Sequence, residues 1–365
     1  MKRNAWVEMD LNLLGQNLAA MRAALRPSTE MILVIKANAY GHGITTVARK
    51  AADCGVRWFF VATLDEAVNV RSVLPEANIL LLGSVGSCNI HEIIQNRILP
   101  VLVSEEQARE LAQIARNEGR SLTCHVDVDT GMGRLGLPWE KAPEQIAKMS
   151  RMGGLDIRGI CMHFASADGP SAAFAQMQAE RFQSVLSGCA ALGMPPLFSH
   201  SSNSAAFLSR PELDMDGVRM GILTYGYGGQ DSAMRARTRP FLQWKTRVIQ
   251  VKQVPAGFPV GYHSTHVTTE PTCLATIDVG YSDGFSRLMS NQGCVLIGGQ
   301  RAKVVGRVTM NFTIIDVGPG SGVKPGDEVV LIGRQGTESI WADELADWCA
   351  TISYEILTNI RSEAR

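Results

Sequence analysis

Eight short apolar runs, nearly all separated by helical patterns, constrain the fold of this 365-residue chain more than any other feature. They read MILVIK (31–36), WFFVAT (58–63), NILLLG (78–83), ILPVLV (98–103), LTCHVDVD (122–129), IRGICMHF (157–164), LFSHSS (197–202) and GVRMGI (217–222). Stretches such as EEQARELAQIARN and FAQMQAERFQSVLSGCAALG lie between them and have helical spacing. The runs are continuous rather than alternating, the pattern of strands covered on both faces. Eight strands in βα succession predict an α/β fold, a (β/α)8 TIM-type barrel, over a doubly wound sheet. The first helix is expected to begin at Asp10, a good N-cap, and to carry Leu11, Leu14, Leu18, Met21 and Leu25 on one face.

Near residue 234 the texture changes. SAMRARTRP is polar and basic, and strand-like segments follow it: FLQWKTRVIQVKQV, CLATIDVG, GCVLIGG, RAKVVGRVTM and FTIIDVG. The turn signals PAG, NQG, VGPGSG and KPGDE interrupt them. The expected organisation is a barrel over residues 1–233 and a mostly β domain over 234–365, which ends in the helical ESIWADELADWCATISYEILTNI. Lys+Arg and Asp+Glu each total 35, so nothing in the charge balance draws the chain to nucleic acid or an acidic membrane. No apolar run reaches the roughly 18 residues of a membrane span. MKRNAWVEMDL lacks the apolar core of a signal peptide, so a cytoplasmic protein is expected. Eight cysteines without a CxxC pair fit reduced thiols, and seven scattered histidines without HExxH predict no metal site.

In a barrel of this kind, chemistry gathers at the C-terminal ends of the strands. The first run ends in Lys36; the fifth ends in Asp127, Asp129 and Thr130, with Arg134 just beyond. The sixth brings His163 and Asp168, the seventh His200, Asn203 and Ser204, and the eighth Arg219. Each has a plainer reading alone. Lys36 can snorkel from a strand end, His163 can be a satisfied core histidine, and Arg219 can be half of a structural ion pair. Ser204 can simply cap a helix that begins at Ala205. Yet a lysine closing an apolar run suits a desolvated, nucleophilic amine, and a helix N-terminus suits an anion. Pattern alone therefore reaches a barrel enzyme with a reactive lysine and an anion site. It does not reach a cofactor.

Around Lys36, VIKANAYGHG closely resembles the cofactor-lysine segment of bacterial alanine racemases. So do DTGMGRLG (129–136), HFASAD (163–168), HSSNSAA (200–206), VRMGI (218–222), GYHSTH (261–266), VGYSDGF (279–285), VGRVTM (305–310) and TISYE (351–355), in family order. Several ordered segments over nearly the whole chain are far more specific than one pattern. The resemblance implies a pyridoxal-phosphate barrel of fold type III followed by a β domain. It also implies a homodimer that interconverts L- and D-alanine and supplies D-alanine for cell-wall peptidoglycan.

The same resemblance implies roles. Lys36 holds the cofactor covalently and, once freed, serves one face of the substrate α-carbon, while Tyr262 of the other subunit serves the opposite face. Tyr40, Ser204, Tyr354 and the amides of Gly221 and Ile222 hold the phosphate, and hydroxyl and amide donors suit that task. Arg219 faces the pyridine nitrogen and cannot give it a proton. His163 touches both Arg219 and the catalytic phenol, which needs help because an ordinary tyrosine has a pKa of about 10. Leu82 and Asn203 complete the cofactor pocket. Arg134 and the backbone of Met310 bind the substrate carboxylate. Tyr281, Asp168, Arg287 and Arg307, with Tyr354, line a narrow mouth that favours a methyl side chain.

Two positions depart from the family pattern. Asp127 stands where many members carry a carbamylated lysine that orients the arginine equivalent to Arg134. The expectation is that Asp127 reaches Arg134 through a water or that Arg134 finds another acceptor. Thr309-Met310-Asn311 replaces a small residue, Met and Asp, which raises a broader alanine and serine range as the alternative. A related pyridoxal-phosphate decarboxylase fits less well, since no glycine triplet of its phosphate site is present and Arg219 opposes a protonated ring. A non-catalytic carrier of the cofactor leaves the β domain and Tyr262 unexplained.

Overall fold

The computed structural model describes residues 5–83, 90–167, 172–228, 233–234 and 237–362. Its strands, in chain order, begin with β1 (Trp6–Met9), β2 (Glu30–Val34), β3 (Trp58–Val61), β4 (Asn78–Leu81), β5 (Leu99–Leu102) and β6 (Leu122–Asp129). The short β7 (Leu137–Pro138), β8 (Leu155–Cys161), β9 (Phe198–His200) and β10 (Gly217–Met220) come next. Strands β2 to β6 and β8 to β10 pair in parallel in the order β5-β4-β3-β2-β10-β9-β8-β6, and β5 also pairs with β6. The sheet therefore closes into an eight-stranded parallel barrel. Its apolar runs are buried as their continuity requires: Ile32, Leu33, Phe59, Ile79, Leu80, Val101, Val126, Ile160 and Val218 have no exposed surface.

The first helix, Leu11–Ala24, starts where its cap places it, with Asp10 Oδ1 accepting from Asn12 N at 2.9 Å. Ser104 and Thr63 cap the helices Glu105–Asn117 and Leu64–Val73 in the same way. Among the described residues no helix is long and apolar enough to cross a membrane.

The second sheet is antiparallel. It contains β11 (Leu242–Val254), β14 (Thr272–Ile277), β15 (Cys294–Ile297), β16 (Gln300–Val304), β17 (Thr313–Asp316), β18 (Glu328–Gln335) and β19 (Glu338–Ile340). The small pair β12 (Pro259–Val260) and β13 (His266–Val267) stands apart as a hairpin. Strand β11 pairs with β14 on one side and β18 on the other, so this sheet also closes and leaves few open edges.

Chain contacts define two compact units, one of which draws on both ends of the chain. β1 pairs antiparallel with β11, Trp6 opposite Lys245 and Met9 opposite Leu242, so residues 5–13 belong with the C-terminal sheet. Tyr40–Gly43 joins that unit too, while the barrel unit extends to Arg239. A four-residue strand such as WVEM finds its partner more than two hundred residues away, and no local pattern announces that.

Candidate active site

The backbone after Lys36 turns the wrong way. Ala37, Asn38, Ala39 and Tyr40 all have φ between 52° and 54°, one turn of left-handed helix in non-glycine residues. Each such residue costs about 1–2 kcal/mol, except that asparagine enters this region more readily, so the turn has to be held. Ala39 N donates to Ile35 O at 2.8 Å, and Asn38 Oδ1 accepts from Ile44 N at 2.9 Å. The rest is held by Glu66. One of its oxygens accepts from Ala37 N at 2.6 Å and Asn38 N at 3.4 Å. The other accepts from Ala62 N at 2.9 Å and Thr63 N at 3.2 Å. A single carboxylate thereby ties the lysine turn to the loop after β3. The sequence carries half of this signal, because Thr63-x-x-Glu66 is a capping box.

Lys36 emerges half-buried and, among the described residues, its amine makes no hydrogen bond or ion pair. Burial lowers its pKa first, Arg134 and Arg219 lower it further, and Glu66 works against them. A desolvated amine beside two guanidiniums is the environment of a nucleophile.

Arg219, on β10, is buried and pinned. Its Nη1 donates to His200 O at 2.6 Å, and its Nη2 to Met162 O at 2.6 Å and Ser201 O at 2.9 Å. Two imidazoles flank it, His200 Nδ1 at 2.8 Å and His163 Nδ1 at 3.2 Å. A guanidinium has no acceptor, so both Nδ1 atoms accept. Burial, then Arg219, Arg134 and Lys36, push His163 down to about 3. It is neutral and its proton sits on Nε2.

At the next strand end the helix cap differs from the simplest sequence reading. Asn203, not Ser204, caps the helix Ser204–Ser209, with Asn203 Oδ1 accepting from Ala206 N at 2.9 Å. The serine hydroxyl is therefore free for another task, and it accepts from Gly221 N at 2.9 Å. Gly221 and the buried Ile222 open the short turn Ile222–Tyr225 that follows β10. Leu82, half-buried, follows β4 and donates its N–H to Val61 O.

Asp127 projects from β6 and is buried, and burial raises its pKa to about 6 despite the pull of Arg219 and Arg134. Its one side-chain partner among the described residues is Cys161, whose Sγ donates to Oδ1 at 3.5 Å. Arg134 is exposed and makes no hydrogen bond or ion pair among the described residues. The two sense each other's charge without a direct bond.

In the C-terminal unit, Tyr40 and Tyr354 lie with ring centroids 5.9 Å apart at 55°. Gly41 (φ +79) packs so closely on the Leu357 carbonyl that a Cβ would collide with it, which draws Tyr40 toward the helix Ser353–Thr358. Tyr262 is 67% exposed on the turn after β12, where His263 and Ser264 also have positive φ. Gly261 before it packs on the backbone of Gly306 and Arg307. Arg307 is half-buried, and Arg287 and Tyr281 are exposed. The exposed Met310 has its carbonyl held by Ser282, from N at 3.0 Å and Oγ at 2.7 Å. Asn311 Nδ2 in turn donates to Ser282 Oγ at 3.2 Å, so the amide at this position supports the Met310 loop. Asp168 lies outside the described residues.

Comparison with known proteins places the chain in a family. Residues 9–228 match the family "Alanine racemase, N-terminal domain", and residues 241–365 match "Alanine racemase, C-terminal domain". A protein of Desulfosudis oleivorans named alanine racemase is 38% identical, covering 98% of this chain and 94% of its own length. Two solved structures share the fold. The Bacillus anthracis alanine racemase with bound L-Ala-P has a TM-score of 0.92 and 33% identity, covering 100% of this chain and 96% of that one. The Bartonella henselae alanine racemase with covalently bound pyridoxal phosphate has a TM-score of 0.88 and 28% identity, covering 99% of each chain.

Proposed function

Because the chain belongs to the alanine racemase family, we propose that it interconverts L- and D-alanine with pyridoxal phosphate bound through Lys36, and with Tyr262 of a second copy as the opposing base. The residues present fit the cofactor. A desolvated amine with no partner among the described residues suits a covalent bond to an aldehyde. The Ser204 hydroxyl, which accepts from Gly221 N and keeps its own O–H to give, suits a phosphate together with the Ile222 amide, with the Gly221 amide assigned to join them. Tyr40 and Tyr354 are assigned further hydroxyl donors to the same phosphate, and Leu82 and Asn203 the flanks of the ring.

When bound, pyridoxal phosphate delocalises the charge left as the α-proton departs. The protein's own groups govern how far that charge spreads and where the proton goes. Arg219 would face the ring nitrogen and keep its own protons, which would restrain the delocalisation and suits an enzyme that only inverts one carbon. Lys36 Nζ moves the α-proton on one face. Tyr262 Oη moves it on the other, with His163 Nε2–H, fixed by Arg219 on the far nitrogen, donating to the phenol oxygen. Arg134 and the Met310 backbone bind the substrate carboxylate. Tyr281, Tyr354, Asp168, Arg287 and Arg307 form the mouth.

The observation that carries this reading is the buried, pinned guanidinium of Arg219 beside a desolvated Lys36. A homodimer is required to bring a base to the second face. Tyr262, Tyr281, Met310, Ile352 and Tyr354 are all exposed on the C-terminal unit, as residues that meet a partner would be. The product, D-alanine, serves peptidoglycan synthesis in the cytoplasm. Mixing two inactive variants, Lys36→Ala and Tyr262→Phe, tests the whole scheme. Half of randomly mixed dimers are heterodimers, and each has one intact site of two, so about a quarter of normal activity is expected. No recovery after subunit exchange, checked by mass, would exclude shared sites.

A further inference from the structure

His125 has no task in the chemistry above, yet it sits at 1% exposure inside the barrel. Three neighbours fix its ring. Trp58 and Phe198 stack on each other at 4.9 Å and 5°, and each meets the imidazole at 5.9 Å and a tilt near 50°. On β8, Gly159 leaves the notch that the ring fills; any Cβ there would collide with its Cε1 and Nδ1. This much immobilisation of a polar ring calls for a reason.

The hydrogen bonds supply one. His125 Nδ1 lies 3.0 Å from His200 Nε2, and His200 Nδ1 lies 2.8 Å from Arg219 Nη1. The proton between Arg219 and His200 belongs to Arg219, because a guanidinium only donates. Burial and the adjacent cation keep His200 neutral, and burial holds His125 down to about 4. A neutral His200 that accepts at Nδ1 must carry its proton on Nε2. It can donate that proton only if His125 Nδ1 accepts. In the opposite tautomer, His200 Nδ1–H would face an Arg219 N–H, and Arg219 would lose a partner.

We propose that His125 is a positioning residue: by accepting from His200 Nε2–H it locks the tautomer that holds Arg219 in line with the cofactor ring. The proposal rests on the assignment of Arg219 to the ring nitrogen, and the test separates the two. His125→Phe fills the notch without an acceptor. His125→Asn places a carbonyl oxygen near the Nδ1 position and restores one.

In the holoenzyme labelled with 15N-histidine, wild type and His125→Asn are expected to show His200 protonated on Nε2 alone. His125→Phe is expected to show both tautomers. With it, kcat should fall about tenfold at an unchanged KM for alanine, the size of loss typical when an orienting partner is removed. Loss of cofactor to half-transamination per turnover should rise. An unchanged His200 tautomer in His125→Phe overturns the role of His125. A changed tautomer with wild-type kcat and side reaction overturns the link from Arg219 to the ring. Equal damage in His125→Phe and His125→Asn with wild-type tautomers in both means His125 only packs.

Discussion

Replacing Glu66 by glutamine asks whether the left-handed turn after Lys36 is held from outside. The carboxylate accepts from Ala37 N and Asn38 N on one oxygen, and from Ala62 N and Thr63 N on the other. An amide keeps one acceptor and turns the other position into a donor that faces two N–H groups. A hydrogen bond to a charged acceptor contributes about 1.5–3 kcal/mol. Glu66 is half-buried, so water recovers part of this, and losing one pair costs about 2–3 kcal/mol. That is comparable with the strain of two non-glycine residues held left-handed, about 2–4 kcal/mol. The melting temperature is expected to fall by about 4–12 °C. The absorbance of lysine-bound cofactor should weaken in parallel, because Lys36 leaves from the loosened turn. In the apoprotein, the pH midpoint for acylation of Lys36 should move down, since Glu66 is the group that raises its pKa. A Glu66→Gln protein with wild-type melting, absorbance and lysine reactivity would refute the reasoning.

Tyr262→Phe should slow exchange of the α-proton of one alanine enantiomer with deuterated water far more than that of the other; equal mild losses would contradict two bases on opposite faces. Activity should be indifferent to removal of carbon dioxide, because Asp127 offers no amine to carbamylate, and a dependence measured in degassed buffer would show that Arg134 is oriented otherwise. Asp127→Asn should raise stability at pH 8 by about 1–3 kcal/mol, as a buried carboxylate with a pKa near 6 is relieved of its charge, and a loss in urea unfolding would mean that the ionised form is well paired. Stability itself should fall as pH drops from about 6.5 toward 4. Burial first, with nearby cations, holds His163 at about 3, and burial holds His125 at about 4, so the unfolded chain takes up protons before the native one does. Asp127, raised to about 6, runs the other way and offsets only part of the slope; a flat urea midpoint between pH 7 and pH 4.5 would mean these histidines are charged in the native state.

The barrel was legible because its signal is local. A strand covered on both faces needs five or so apolar residues in a row, and MILVIK and WFFVAT each declare that within their own span. The same holds for Asp10 as a cap and for the turn-rich second sheet. Strand ends then named Lys36, His163, Ser204 and Arg219 as a group, since a closed parallel barrel brings all its C-terminal ends to one rim. Motif order added the chemistry that spacing alone could not.

Other features depend on which distant group completes a bond, and these the tertiary structure decided. Trp6–Met9 is a strand only because β11 offers it a register. Asn203 takes the cap, which frees Ser204 for the Gly221 amide. Ala37 to Tyr40 run left-handed because Glu66 and Ile35 accept from that backbone and the Asn38 side chain accepts from Ile44 N, against the preference of each residue. The proton positions on His163 and His200 are set by a guanidinium from another strand. Side-chain periodicity is written in neighbours along the chain, whereas strain, tautomer and charge state are written in neighbours across it.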